Sequence, residues 1–401
     1  MDSFFATVEQ QARPELRGKP VGISIAPSAG GTIIGSSIEA KARGVGTATR
    51  IMDAQALIPD IAILPPNPGR YRIVHKRVRE LMSQYTPDVQ ARSIDEIAIW
   101  LSADQLREQN ALTIAHEIQS RIREEVGDWL SSSIGIGPNW WLAKTACGMR
   151  KPGGLLEITR ENTRDLLGEL KLTDLCGIAK RMAARFQLAG VKTPVEMYDT
   201  PPWELKRRFG IIGYYWWLRL HGYHVDTEDR PTRTIGHSSV VPKPARMPKE
   251  LKPLLGKLCE RTGRRMRKGG WEARVISVFI SYKDAPGGWG NQVMVHPFRD
   301  SVALFKHAWG MLGRVRFRGT ARLVAVRVSH LNPVTPEQLT LWPIGEQQRR
   351  VTAAADSVND RWGEFTLFPA AIMGTENIAK DSIAFGQDMK HPDEPIQPRG
   401  V

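Results

Sequence analysis

Two adjacent carboxylates, Asp95 and Glu96, stand inside the run Ala91-Arg92-Ser93-Ile94-Asp95-Glu96-Ile97-Ala98-Ile99-Trp100, whose flanks are rich in strand-forming residues. Carboxylate oxygens are the preferred ligands of hard divalent cations, so the pair is a candidate metal site at a sheet edge. Successive side chains of a strand point to opposite faces. Two neighbours can therefore converge on one site only where the strand begins, bends or bulges.

The elements that must create this geometry read as a mixed α+β unit over residues 1–155. It is expected to open with a strand. Short strands are predicted at 21–25, 32–34 and 61–64, around turn-rich segments such as Pro27-Ser28-Ala29-Gly30-Gly31. Helical spacing predicts a helix at 72–85 with Ile73, Val78 and Leu81 apolar, and another at 111–126 with Ile114, Ile118 and Ile122 on one face. A strand is predicted to return at 132–136.

Composition points to a polyanionic partner. The formal net charge is +14 and the isoelectric point about 9.8. Residues 231–330 hold 20 Lys or Arg against 5 Asp or Glu, a local +15, and the remainder sums to −1. Such a block reads as one module dedicated to a phosphate backbone, binding by counterion release. Within it a helix at 248–268, a strand at 273–282, a helix at 301–312 and a strand at 321–330 suit an α+β module with one sheet face free. Arg274, Arg314, Arg316 and Arg318 are its candidate DNA contacts. Alternation along 274–281 does not separate polar from apolar residues, so the free side is not assigned from the sequence.

With 401 residues and 41% apolar content the chain exceeds one compact core, and two to four domains are expected. Cys147, Cys176 and Cys259 are too far apart for a zinc motif and odd in number for a disulfide framework, which suits a reducing compartment and buried, inert thiols. No leader-like segment precedes the first motif, and no apolar run reaches the roughly 18 residues of a membrane span. The expectation is a soluble, cytoplasmic protein with no membrane partner, taken as a monomer.

Four ordered segments resemble the Y-family, translesion DNA polymerases. Met1-Asp2-Ser3-Phe4-Phe5-Ala6-Thr7-Val8-Glu9, followed by Pro14-Glu15-Leu16-Arg17-Gly18-Lys19-Pro20-Val21, is similar to their opening. Glu39-Ala40-Lys41-Ala42-Arg43-Gly44-Val45 resembles their fingers motif, and Ser93-Ile94-Asp95-Glu96 their catalytic motif. Gly135-Ile136-Gly137-Pro138-Asn139-Trp140-Trp141-Leu142-Ala143-Lys144, continuing to Lys151-Pro152-Gly153-Gly154, resembles the last palm motif. The likeness covers residues 1–225 well and the rest loosely.

The resemblance implies a right-hand, multidomain α+β fold. It would comprise a ferredoxin-like palm at 1–155 with a fingers insertion at about 18–65, a helical thumb at 156–224, a linker at 225–233, a basic little finger at 234–333 and a tail at 334–401. In the thumb, Leu175-Cys176-Gly177-Ile178-Ala179-Lys180 resembles a helix-hairpin-helix in which backbone N–H groups near Gly177 and the charge of Lys180 meet a DNA phosphate. The aromatic run Tyr214-Tyr215-Trp216-Trp217 reads first as core. In the tail, Glu337-Gln338-Leu339-Thr340-Leu341-Trp342-Pro343 is similar to the pentapeptide that docks bacterial polymerases on the sliding clamp, with Gln338, Leu339, Leu341 and Trp342 as anchors. A helix is expected at 353–362, and disorder after about 385.

The activity implied is DNA-templated transfer of deoxynucleotides from dNTPs to a primer 3′ end during damage bypass, with two Mg²⁺ ions per active site. Asp95 and Glu96 would be the catalytic metal ligands, with the backbone carbonyl of Met1 touching metal. Phe5, next to Phe4, matches the steric gate against ribose, while Lys151 and Lys41 match positions that reach the triphosphate. The family's first metal-bridging aspartate normally stands immediately before the position of Met1, so the in-frame codon just upstream is expected to encode Asp. Ile38 and Trp140 depart from a tyrosine and a lysine usual at those places. A second reading is a catalytically inert, polymerase-shaped protein that binds primer-template DNA and the clamp.

Overall fold

A computed structural model describes residues 1–28, 30–226, 234–334, 346–375 and 378. Among these the chain forms two compact units, one within 1–226 and one within 234–378. No helix of the described residues is long and apolar enough to cross a membrane.

The first unit opens on a helix, α1 (Phe4–Ala12), and not on the expected strand. Only Met1, Asp2 and Ser3 precede it: the Met1 ammonium donates to the Asp95 carbonyl (2.8 Å) and the Asp2 N–H to the Ser131 carbonyl (2.8 Å). Two residues bridge separate pieces of sheet but cannot make a ladder of their own. Then follow β1 (Val21–Ile23), β2 (Gly35–Ser36), α2 (Ile38–Ala42), α3 (Ile51–Leu57) and β3 (Ala62–Leu64). They form a three-stranded sheet ordered β2-β1-β3, antiparallel on one side of β1 and parallel on the other. The segment 32–34 contributes only a bridge from Thr32 to Arg50, and the strand lies just beyond it.

Helix α4 (Pro68–Met82) buries Val74, Val78, Leu81 and Met82, whereas Ile73, expected on that face, is 38% exposed. The buried stripe follows Tyr71, Val74, Val78 and Leu81, the three-four spacing of a helix. Next come the hairpin β4 (Val89–Ser93) and β5 (Glu96–Ile99), then α5 (Ala103–Glu108) and α6 (Ala111–Arg121). Helix α6 runs into a wider-wound turn, Ile122–Val126. Its Ile114, Ile118 and Ile122 share a core with α4, Phe4 and Val8. Each such burial contributes roughly 1.5–3 kcal/mol.

Strand β6 (Ile134–Ile136) pairs in parallel with β7 (Leu155–Glu157), and α7 (Trp140–Met149) lies directly on it. Gly135 and Gly137 permit that approach: a Cβ at Gly135 would stand 2.0 Å from the Ala143 carbonyl oxygen, and one at Gly137 2.7 Å from the Ala143 nitrogen. A helical portion follows, α8 (Thr163–Leu167), α9 (Lys180–Leu188), α10 (Pro194–Asp199), α11 (Pro202–Phe209) and α12 (Ile211–Leu220). Trp216 is buried against Phe186 and Phe209, as core. Tyr215 is exposed, and Trp217 stacks on His221.

The second unit is a four-stranded antiparallel sheet ordered β10-β9-β11-β8, with two helices packed on one face. Its elements are β8 (Thr234–Ala245), α13 (Pro248–Lys268), β9 (Trp271–Tyr282), β10 (Gly288–Phe298), α14 (Ser301–Leu312) and β11 (Ala321–Pro333). Strands β8 and β10 have no counterpart among the sequence expectations. Both carry Gly, Pro and polar residues and only one face of each is covered, so their apolar signal is weak. A further helix, α15 (Glu346–Trp362), starts earlier than the expected 353.

The cysteines are free, but only Cys259 is fully buried; Cys147 and Cys176 are half-buried. The proposed clamp peptide, Gln338 to Trp342, and the tail beyond 378 lie outside the described residues.

Candidate active site

Ser93 pairs with Glu96 across the β4–β5 hairpin, leaving Ile94 and Asp95 as its two-residue loop. Asp95 thus sits in the turn and Glu96 opens the strand. The register also shifts between Ala91 and Ser93, so Arg92 is a bulge residue between the Ala91–Ile97 and Ser93–Glu96 pairs. The Ser93 hydroxyl donates to Asp95 Oδ1 (2.6 Å), and Glu96 forms an ion pair with Lys144 of α7. Both members of that pair are about one-third exposed.

The turn is held from behind by His75 of α4, whose Nδ1 lies 2.9 Å from the Ile94 carbonyl. Burial lowers the His75 pKa, so the ring is neutral and its Nδ1–H can donate to that carbonyl. A cavity of about 70 Å³ lies next to it, lined by Met1, Phe4, His75, Ile94, Ile118 and Ser133 among others. The hydrogen bonds from Ser93 and His75 hold the turn in position.

Asp2 is fixed by donors from two segments: Ser131 Oγ (2.9 Å), Ser133 Oγ (2.8 Å) and the Gly153 N–H (2.9 Å). Burial works to raise its pKa, but these donors together hold it below the usual carboxylate range. Its oxygens are thereby occupied. Serines two apart before a strand share one face, which is the signal that could have exposed this site in the sequence.

Lys41 and Lys151 are brought together. Desolvation lowers the Lys41 pKa, repulsion from Lys151 adds to it, and Asp2 and Asp95 oppose both. Phe5 stacks on Tyr71 with centroids 4.6 Å apart, and its ring abuts Gly35, where a Cβ would lie 3.4 Å away. Phe4 is buried in the core. For Met1 the structure shows the ammonium, bound to the Asp95 carbonyl. His75, Lys144, Ser131 and Ser133 belong to the site by geometry and are absent from the candidates that the sequence offers.

Among the described residues no cluster of three His, Cys, Asp or Glu forms. The Asp95–Glu96 donor set nevertheless fits magnesium, which commonly takes one or two carboxylates and completes its shell with water and substrate phosphate.

Elsewhere in the first unit, Gly177 adopts a left-handed φ of +89° just ahead of α9, and Lys180 is exposed in its first turn. The helix before that turn is only a 3-10 segment, Leu172–Asp174. In the second unit, Ser277, Phe279 and Ser281 occupy the open sheet face, because Ile276, Val278 and Ile280 point into the core. Arg327, paired with Ser277, shares the open face. Arg274 is exposed between the buried Ala273 and Val275. Arg314, Arg316 and Arg318 are exposed in the α14–β11 loop, alternating with inward Val315 and Phe317.

The basic block is not wholly reserved for phosphate. Arg267 pairs with Asp356 (2.6 Å), Arg264 with Asp360 (2.6 Å) and Arg261 with Glu364 (3.5 Å), so part of α13 holds α15 and the turn after it. These acids lie beyond the window in which the charge was counted.

A Y-family DNA polymerase chimera shares the fold, with a TM-score of 0.72 over 83% of this chain and 98% of that one at 22% identity. Residues 1–148 match the impB/mucB/samB family, and residues 232–341 match its C-terminal domain. A DNA polymerase IV from Pelotomaculum thermopropionicum is 31% identical over 98% of both chains, and one from Moorella thermoacetica is 33% identical over 92% of this chain and 94% of its own. DNA polymerase IV 2 of Bacillus subtilis is 28% identical over 92% of each. This chain belongs to the Y-family of DNA polymerases, in the impB/mucB/samB family.

Proposed function

We propose that this chain is a DNA-directed DNA polymerase of the translesion type, adding deoxynucleotides to a primer 3′ end opposite damaged template. The observation that carries it is the Asp95–Glu96 pair at the head of β5, with the mutually repelling lysines Lys41 and Lys151 beside it. Retention of these residues speaks for chemistry, since an inert scaffold has no use for metal ligands.

Two Mg²⁺ ions held by Asp95 and Glu96 would supply Lewis-acid polarisation of the reacting oxygens. Lys41 and Lys151 bind the triphosphate as point charges. Phe5, backed by Tyr71, excludes a ribose 2′ hydroxyl. Ser93 and His75 orient the turn that carries the acids. The palm, fingers, thumb and little finger correspond to 1–155, 18–65, 156–224 and 234–333. Gly177, Lys180, Arg314, Arg316 and Arg318 contact DNA phosphates, and Gln338 to Trp342 dock on the sliding clamp. The protein works as a cytoplasmic monomer.

Primer extension with Mg²⁺ and dNTPs tests the reading. Asp95→Asn is expected to lower the rate about 10³-fold, the several kcal/mol that metal-assisted charge stabilisation contributes. Equal extension by the wild-type and variant proteins would end it.

A further inference from the structure

Beside the catalytic turn, two cations and two indoles form a continuous pile. The Arg92 guanidinium lies 5.7 Å from the Trp100 ring centroid and 4.9 Å from that of Trp140. Lys144 Nζ lies 5.6 Å from the same Trp140 centroid while it pairs with Glu96. Trp140 therefore holds two cations, at cation–π distance for both. Arg92 makes no ion pair among the described residues, and its Nε and Nη2 are buried without hydrogen-bond partners. Two indole faces stabilise its charge.

We propose that Lys144 is a positioning residue that competes with divalent metal for Glu96, and that Trp140 is the platform on which its ammonium rests when Glu96 is released. The inference rests on the reading of Asp95 and Glu96 as metal ligands. Two observations make the exchange favourable. The Glu96–Lys144 pair is partly solvated, and pairs of that kind are worth little, up to about 1 kcal/mol. The ammonium, moreover, already lies over the Trp140 face, so leaving Glu96 does not strand it. Arg92 on the same ring repels the ammonium, which keeps the second resting place from becoming too stable and returns Lys144 to Glu96 when the carboxylate is vacant.

The test measures Mn²⁺ binding by the whole protein, from the electron paramagnetic resonance signal of the free ion. Lys144→Met is expected to bind Mn²⁺ up to about fivefold more tightly than wild type, the fold-change equivalent to a partly exposed ion pair. Lys144→Arg, which keeps the charge, should stay near the wild-type affinity. In a Glu96→Gln background the effect of Lys144→Met should vanish, because the competitor and the ligand then no longer share a charge. Trp140→Leu should bind Mn²⁺ less tightly than wild type, having lost the platform. Unchanged affinity in Lys144→Met, or an equal gain in the Glu96→Gln background, would overturn the competition. Absence of Mn²⁺ binding by the wild-type protein would overturn the metal-site reading itself, and the inference with it. Circular dichroism melts of each variant confirm folding, and Lys144→Gln takes the place of Lys144→Met if that variant does not fold.

Discussion

The two units use charge in opposite ways. In the first, a few ionisable groups are drawn to one place by turns, a bulge and helix starts: Asp2, Lys41, Asp95, Glu96, Lys144 and Lys151 come from five separate segments. In the second, charge is distributed along an α-helix, a sheet face and a loop, and part of it is neutralised by a helix from further along the chain. Local chemistry needs convergence; affinity for a polyanion needs only area. Single substitutions should therefore matter greatly in the first unit and modestly in the second.

The largest expected effect separates the two. Glu96→Gln should lower primer extension about 10³-fold while leaving duplex DNA affinity and its salt dependence unchanged. Replacing Arg314, Arg316 and Arg318 together with Ala should do the reverse. The slope of log K against log salt should fall by about 0.9 for each phosphate that is no longer neutralised, as measured by fluorescence anisotropy across a salt series. If the triple variant keeps its slope, the loop arginines do not touch DNA and the comparison fails on that side.

Asp2→Ala comes next. It removes a buried carboxylate and leaves the donors of Ser131, Ser133 and Gly153 without their acceptor. Urea unfolding should show the first unit destabilised by about 2–3 kcal/mol. Because the folded Asp2 pKa is depressed, its contribution is present at neutral pH and is lost as pH falls through the folded value.

In the second unit, Asp356→Asn should cost about 2 kcal/mol by leaving the largely buried Arg267 without its main partner. Chemical denaturation with a probe in that unit checks it. The smallest effect near neutral pH concerns His237 of β8, whose pKa burial, with Arg261 and Arg265 adding repulsion, pushes down to about 3. The folded ring stays neutral where the unfolded one would protonate. Stability of the unit should thus decline as pH falls from about 6.5 toward 3. His237→Gln should flatten that part of the curve; a parallel decline would mean other groups cause it.

Legibility is strongest where local pattern and tertiary role coincide. Helix α13 is readable at 248–268 because its apolar stripe, the early Pro248 and the following Gly269 all mark the same ends. Asp95 and Glu96 are readable because two acids within a strand-forming run demand a break in the strand. Ile73 falls off the apolar face of α4 because one-residue offsets look alike in a short helix. The expected opening strand does not form, since only three residues precede α1 and they are too few to make a ladder. Strands β8 and β10 escape the sequence because strands covered on one face need little apolar character.

The amino-acid order by itself determined the acids at 95 and 96, the helical segments of strong period and the concentration of positive charge after residue 230. Each is a property of neighbours along the chain. Tertiary structure alone decided that His75 holds the turn, that Ser131 and Ser133 fix Asp2, that Lys144 meets Glu96 and that arginines of α13 bind acids some 90 to 100 residues away. Those partners are set by packing of distant segments, and an isolated stretch of sequence carries no record of what will be folded against it.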